Sequence, residues 1–157
     1  MGFPTSWRRN PLWSQSYRPD QLVRQRLKSI DELETLTPDE TARLLRFTTP
    51  KRARENLDYL RKKHAVIGVK VTPGGIRYFP IFQIDREPGQ IRPVVISANR
   101  KLFVLNAGAD TDEHHWLALS WWMSPEPRLE GHCPADALMA GQLDQPALDA
   151  LLPGPEE

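Results

Sequence analysis

The spacing of apolar and polar residues divides the chain into a weakly patterned start and a strongly patterned body. Residues 1–36 show little periodicity beyond a helical stretch over 19–28, and we expect them to form an N-terminal arm. The first clear helix is predicted to begin near Thr37. The sequence at 37–40 is a capping box, in which the Thr37 hydroxyl and the Glu40 carboxylate satisfy backbone amides.

A second helix is predicted from Thr49 to about His64. Its apolar positions repeat at spacings of four and three residues, which places them on one side of a helix: Ala53, Leu57 and Leu60. Two short consecutive helices, the second of them basic, are typical of a helix-turn-helix. The cations of the second helix are candidate contacts to DNA phosphates: Lys51, Arg52, Arg54, Arg61, Lys62 and Lys63.

An extended pattern follows these helices. Residues 65–71 and 76–82 are predicted to be strands, joined by a turn that contains one proline and two glycines. A hairpin directly after a helix pair is the pattern of a winged helix-turn-helix, which we predict over residues 37–84. Lys70 and Arg77 on this wing are therefore further candidate DNA contacts.

Helical spacing returns in the second half of the chain. A helix is predicted from Gly89 onward, with these apolar positions: Ile91, Val94, Val95, Ala98 and Leu102. A last short helix is predicted over 135–140, where Gly141 ends it, and a final amphipathic turn follows over 146–152. Residues 85–157 are thus predicted to form a small helical domain, and the whole chain to be mainly α with a small β-hairpin.

The most apolar predicted helix, residues 113–123, carries three tryptophans: Trp116, Trp121 and Trp122. Core packing is the favoured role for each ring. Because the three positions do not share one helical face, at least one ring is also predicted to be exposed or at an interface.

Charge is distributed unevenly along the chain. Residues 1–80 hold 16 Lys and Arg against 8 Asp and Glu, a net of +8, whereas residues 81–157 hold 5 against 12, a net of −7. This division favours a nucleic-acid partner for the first half and a different partner for the second. The alternative is that the two halves attract each other, within the chain or in a dimer.

Few residues suggest catalysis or metal binding. His114, His115, His132 and Cys133 match no metal-ligand spacing, so no metal or other cofactor is expected. Neither a Ser-His-Asp order nor a phosphate loop is visible, and the chain is predicted not to be an enzyme. A single cysteine, no apolar run of membrane-spanning length and no signal-peptide core predict a cytoplasmic protein without a membrane partner.

The second half carries an ordered set of motifs. They are Tyr-Phe-Pro-Ile-Phe-Gln-Ile-Asp at 78–85, Gly89, Pro93, Trp-Trp at 121–122, Ser-Pro at 124–125, the block from Leu129 to Leu138, and Gly141. In this order they resemble the toxin-binding domain of Xre/MbcA/ParS-type antitoxins over roughly residues 76–152. The segment before them resembles an excisionase/MerR-type helix-turn-helix. It departs from that pattern at 46–49, where the usual glycine-bearing turn is replaced, and in its longer second helix.

The resemblance implies an antitoxin that neutralises a RES-domain, NAD-consuming toxin and binds its own promoter. The expected toxin contacts lie toward the C-terminus: Trp122, Leu129, Leu138, Leu143, Asp144, Leu148, Leu151 and Leu152. For the last three leucines the alternative is packing onto the tryptophan-bearing helix. A homodimer is expected, because helix-turn-helix proteins usually contact two half-sites. Two other hypotheses are a DNA-binding regulator without a toxin and a structural adaptor that no longer binds DNA.

Overall fold

A computed structural model of the chain describes residues 19–47, 49–105 and 111–152. The first 18 residues of the predicted arm therefore lie outside the described residues. Within the described ranges the chain is mainly helical with short antiparallel strands. The elements in chain order are α1 (Pro19–Glu32), β1 (Thr35–Leu36), α2 (Pro38–Leu44), α3 (Pro50–Lys62), β2 (Val69–Lys70), β3 (Arg77–Pro80), β4 (Ile84–Asp85), β5 (Gln90–Ile91), α4 (Pro93–Leu105), α5 (Asp112–Met123), α6 (Pro134–Met139) and α7 (Gln145–Leu151).

The strands form two small antiparallel sheets. In the first sheet β3 lies in the centre and pairs with β1 on one side and with β2 on the other. Thr35 lies opposite Pro80, and Val69 lies opposite Tyr78. The expected hairpin is present as β2 and β3, with fewer paired residues than the sequence pattern suggested. Through β1, the segment before α2 is tied to the strand that follows α3.

Two threonine caps fix the starts of α2 and α3. At α2 the capping box is complete: the Glu40 amide donates to the Thr37 hydroxyl at 3.3 Å, and the Thr37 amide donates to Glu40 Oε1 at 3.0 Å. At α3 the Thr49 hydroxyl accepts from the Arg52 amide at 3.3 Å. Both starts are as predicted, since the capping side chain removes an otherwise unsatisfied helix amide.

The predicted start of the fourth helix at Gly89 is wrong. Gly89 has a φ of +90° and ends the turn of a second hairpin, in which Ile84 pairs with Ile91. α4 begins only at Pro93, where a proline is tolerated because the first helical residue has no intrahelical acceptor for its amide. Ile91 is buried from a strand and not from the helix. Alternation over so short a segment is not distinguishable from helical spacing in the sequence.

One hydrophobic core runs through both halves of the chain. It includes Leu57 of α3, Phe79 of β3, Val95 of α4, Trp122 of α5 and Leu148 of α7. The division that the sequence suggests between residues 84 and 85 falls inside β4. The apolar faces of the two predicted domains are therefore packed into a common interior.

α5 lies in the middle of this core. It packs against β2, α4 and α6, so none of its faces is left to solvent. The three tryptophans Trp116, Trp121 and Trp122 are 0%, 5% and 0% exposed. Core packing of all three is confirmed, and the expectation that at least one ring is exposed or at an interface is wrong. A helix that is apolar on all sides is buried on all sides.

Buried polar side chains hold the segment that connects α3 to β2. The Gln83 amide pairs with the backbone of Ile67, accepting from its amide at 2.8 Å and donating to its carbonyl at 3.0 Å. His115 Nδ1 accepts from the Gly68 amide at 3.2 Å. Gln83 precedes β4 and His115 lies on α5, so this connection is fixed by side chains that occur later in the chain.

Asn99 of α4 completes the same network. Its Nδ2 donates to the Ala65 carbonyl and to Gln83 Oε1, both at 3.2 Å, and its Oδ1 accepts from Trp122 Nε1 at 2.9 Å. Buried polar atoms need such partners because an unpaired one retains its desolvation penalty. The network therefore fixes the end of α3 against α4 and α5.

Candidate nucleic-acid and partner surfaces

The buried side of α3 is the apolar stripe that its sequence predicts. Leu57 is 5% exposed, Ala53 and Leu60 are partly buried against the core, and the helix packs on α2. The first turn of α3 contains no acidic residue. The N-terminal end of α3 therefore combines the positive end of the helix dipole with the first cations of the helix, and no acid in the first turn offsets them. This combination favours an anionic ligand at that end.

Exposed cations cover much of the remaining α3 surface. Four of the predicted DNA contacts are exposed and have no ion pair with the described part of the chain: Lys51, Arg52, Arg54 and Lys62. A fifth, Lys63, is exposed with its ammonium 5.7 Å from the centre of the Tyr59 ring. These five side chains can contact phosphate without first breaking a salt bridge within the described residues.

The other three predicted cations are less available. Arg77 donates to the Gly68 carbonyl at 2.8 Å and to Asp112 Oδ1 at 3.1 Å, which holds the hairpin against the start of α5. The side chain of Arg61 is 15% exposed and lies 3.9 Å from Asp58. Lys70 is half-buried. Replacing Arg61 or Arg77 would therefore alter the fold as well as any phosphate contact.

Two exposed α3 residues were not among the candidates from the sequence: Asn56 and Tyr59. Tyr59 is 61% exposed, which is unusual for so large a ring on a well-packed helix. The sequence contained a signal for both, because they continue the helical spacing that begins at Arg52. Lysine and arginine content by itself indicates only the charged residues of this series and not its two neutral members.

Asn56 and Tyr59 also line an open groove beside α3. Its volume is about 430 Å³, and the lining residues are uncharged: Leu45, Phe47, Asn56, Tyr59, Leu60, Gly89, Gln90, Ile91 and Ile96. The opposite wall is the turn of the β4–β5 hairpin and the first turn of α4. Gly89 is needed there, since a Cβ at this position would lie 2.6 Å from the Leu44 carbonyl oxygen.

The C-terminal candidates are mostly inside the molecule. Six of the expected toxin contacts are 8% exposed or less: Trp122, Leu138, Leu143, Leu148, Leu151 and Leu152. Leu129 is partly buried against the same core. These side chains shape the surface of α6 and α7 and are not available as direct contacts in this conformation. Asp144 is exposed and caps α7, where its carboxylate accepts from the Ala147 amide at 3.0 Å.

The exposed residues of α6 and α7 include acids and neither lysine nor arginine, although Arg128 borders α7 and donates to the Ala150 carbonyl at 3.2 Å. Residues 129–152 contain no lysine or arginine. Asp136 is exposed, as is Met139 at 59%. Asp149 lies 2.7 Å from Lys101 of α4, and this hydrogen bond, with a second from Gln145, lowers the pKa of Asp149. Asp136 and Met139 are therefore an exposed acid and an exposed apolar side chain on the same short helix, α6.

The groups that suggested chemistry have no activating surroundings. Burial raises the pKa of the Cys133 thiol, and the negative charge of the nearby Asp136 carboxylate raises it as well. The thiolate form is therefore disfavoured at neutral pH. Within residues 19–47, 49–105 and 111–152, no group of three or more His, Cys, Asp or Glu side chains is placed to hold a metal ion. In the same ranges, no helix has the length and apolar character needed to span a bilayer.

The chain matches no protein-family model, and neither a curated protein nor a solved structure matches it at a significant level.

Proposed function

We propose that the chain is an antitoxin that binds two partners. Its C-terminal surface binds and neutralises a RES-type, NAD-consuming toxin, and as a homodimer it binds its own promoter DNA through α3. The observation that carries the proposal is the separation of available charge: exposed cations lie along α3, whereas the surface formed by residues 129–152 has acids and no cation. The ordered motifs from Tyr78 to Gly141 support the same assignment.

The DNA-binding half of the proposal is supported by cations that need no rearrangement. Lys51, Arg52 and Arg54 follow the capped start of α3 without an acidic residue in the first turn. Neutralising phosphates with such groups releases condensed counterions and gives salt-dependent affinity. Replacing the three together with alanine should lower the salt slope by up to about three units, since each phosphate contact contributes about one.

The toxin-binding half is supported by complementary charge. An enzyme that consumes NAD needs cationic or amide groups for the two phosphates of its substrate, and an acidic surface is attracted to such a site. Asp136 and Asp144 are exposed acids on this part of the chain, and Met139 adds an exposed apolar contact. The buried leucines of α6 and α7 hold this surface in place.

A DNA-binding regulator without a toxin is the second candidate. The observation that favours it is the burial of most of the expected toxin contacts, such as Leu148 and Leu152, both 0% exposed. In that case α6 and α7 serve only to complete the core.

The reading frame beside this one should encode a RES-type toxin, and co-expression with that toxin separates the two candidates. The wild-type chain should restore growth of toxin-expressing cells. The double variant Asp136→Lys, Met139→Ser should not, because it reverses the charge and removes the apolar contact of an exposed surface. Asp31→Lys, an exposed charge reversal on α1, is the matched control and should restore growth. Failure of the wild-type chain to restore growth would eliminate the antitoxin assignment.

A further inference from the structure

Two series of residues on the exposed surface of α3 differ in their chemistry. Positions four, three and four residues apart lie on one side of a helix. One such series contains only cationic and neutral side chains: Arg52, Asn56, Tyr59 and Lys63. We call it the Arg52–Lys63 stripe. The adjacent series has two acids between its cations: Lys51, Glu55, Asp58 and Lys62. Because phosphates repel carboxylates, a duplex approaches the Arg52–Lys63 stripe more favourably.

Asn56 has a free amide on this stripe. Its side chain is exposed and makes no hydrogen bond with any residue of the described ranges. The buried amides of Gln83 and Asn99, in contrast, are fully engaged within the fold. An asparagine amide can bond adenine N6 and N7 together in the major groove, and an arginine such as Arg52 can bond guanine O6 and N7.

Tyr59 has a different role on the same stripe. The ammonium of Lys63 lies 5.7 Å from the centre of the Tyr59 ring. A cation is attracted to the face of an aromatic ring at this distance, so the ring restricts where the Lys63 ammonium can lie. Tyr59 is therefore a positioning residue for the cation at the end of the stripe.

We propose that the Arg52–Lys63 stripe makes the sequence-specific contacts to DNA, with Arg52 and Asn56 on base edges and Lys63 on a phosphate. Glu55 and Asp58 then lie away from the base edges, and Lys51 and Arg54 at the start of α3 flank the stripe as phosphate contacts. Four residues of a helix rise about 6 Å, and successive base pairs are about 3.4 Å apart. The two bases contacted should thus be roughly two steps apart. This inference rests on the proposed DNA-binding function and specifies which side of α3 performs it.

Binding selection followed by salt titration tests the assignment. Duplexes bound by the full-length protein are selected from a random library, and affinity for the preferred and for a scrambled duplex is then measured at several salt concentrations. Asn56→Ala should weaken binding to the preferred duplex by about 5- to 100-fold. It should leave the scrambled duplex and the salt slope unchanged, since no charge is removed.

Two further sets of variants serve as controls. Glu55→Ala is exposed on the same helix and should retain the base preference, with equal or higher affinity because a negative charge is lost. Tyr59→Leu should weaken binding to both duplexes without altering the preference. Tyr59→Phe should restore wild-type affinity, because it keeps the ring that positions Lys63.

The outcomes separate this inference from the proposed function. If the wild-type protein binds no duplex, DNA binding itself is wrong. If the wild-type protein binds with a salt-dependent affinity but Asn56→Ala retains the full base preference, the stripe assignment is overturned while DNA binding stands. Loss of preference in Glu55→Ala instead of Asn56→Ala would show that the other series faces the bases.

Discussion

Asn99 connects three separate parts of the chain through a single side chain. Through one buried amide it joins the connection after α3, the turn before β4 and the indole of Trp122. Both the nitrogen and the oxygen of this amide form hydrogen bonds within the protein. The amide therefore contributes specificity of packing that an apolar residue of the same size could not supply.

Asn99→Ala should destabilise the protein by about 3 kcal/mol or more. It leaves the Ala65 carbonyl and the Trp122 indole without a partner in the interior, and each such group costs about 1–3 kcal/mol. Urea unfolding followed by tryptophan fluorescence measures the change. Gln142→Ala, at an exposed position, is the control and should stay within about 0.5 kcal/mol of the wild type. A loss below about 1 kcal/mol for Asn99→Ala would contradict the network.

At the residue scale, the sequence predicted caps and missed polar contacts. Thr37 and Thr49 were predictable because a cap involves residues only three positions apart. The bonds from Gln83 to Ile67 and from Asn99 to Ala65 and Gln83 span 16 residues or more. Such pairs are set by tertiary packing, and one sequence contains no periodic signal for them. The exposure of Asn56 was likewise predictable from helical spacing. The sequence could not show that its side-chain amide makes no hydrogen bond within the described residues.

Among the helices, α5 illustrates how composition can determine position. Its first turn carries acids, and a continuous run of buried residues follows from His115 to Trp122. A helix without a polar face cannot lie at the surface, so the composition of α5 predicts that it lies in the centre of the core. The sequence predicted the bounds of α5 to within one residue. It could not predict which elements cover each face, because that depends on the chain's overall topology.

Trp121→Ala should mainly be a folding defect. Trp121 is 5% exposed and its ring meets Trp122 edge-on, with ring centres 4.9 Å apart. Truncating a buried aromatic ring costs about 3–5 kcal/mol, a large part of the roughly 5–15 kcal/mol that a domain has. Differential scanning calorimetry should show a clearly lower melting temperature. Met139→Ala, at an exposed apolar position, should melt like the wild type. An unchanged melting temperature for Trp121→Ala together with lost partner binding would instead make the ring an interface contact.

At the scale of the whole molecule, the continuous core determines how a C-terminal truncation affects folding. The family resemblance implies toxin contacts toward the C-terminus, far along the chain from the residues expected to contact DNA. The structure places Leu143, Leu148, Leu151 and Leu152 in the core that also supports α3. Fold class and most helix positions could be predicted, because they follow local patterns. The shared interior could not, since it depends on which apolar faces meet.

Deleting residues 143–157 should therefore unfold the protein and abolish DNA binding as well as toxin inhibition. Four buried leucines contribute about 1.5–3 kcal/mol each, which together approaches the whole stability of a domain. Circular dichroism and limited proteolysis report folding. Deleting only 153–157, which lie outside the described residues, removes none of these leucines and should leave the fold intact. If the longer deletion still melts cooperatively and binds promoter DNA, the two halves are independent domains.

The contacts between His115, Gln83 and the connection after α3 have a consequence for how the protein becomes active during its synthesis. Gly68 and Ile67 find their partners at positions 115 and 83, so a nascent chain that ends just after β2 has no groups to hold the end of α3. Ribosomes add about 5–20 residues per second, so the connection after α3 becomes fixed only after α5 has been synthesised. If α3 binds DNA as proposed, a fragment that ends before α5 should compete poorly for the promoter.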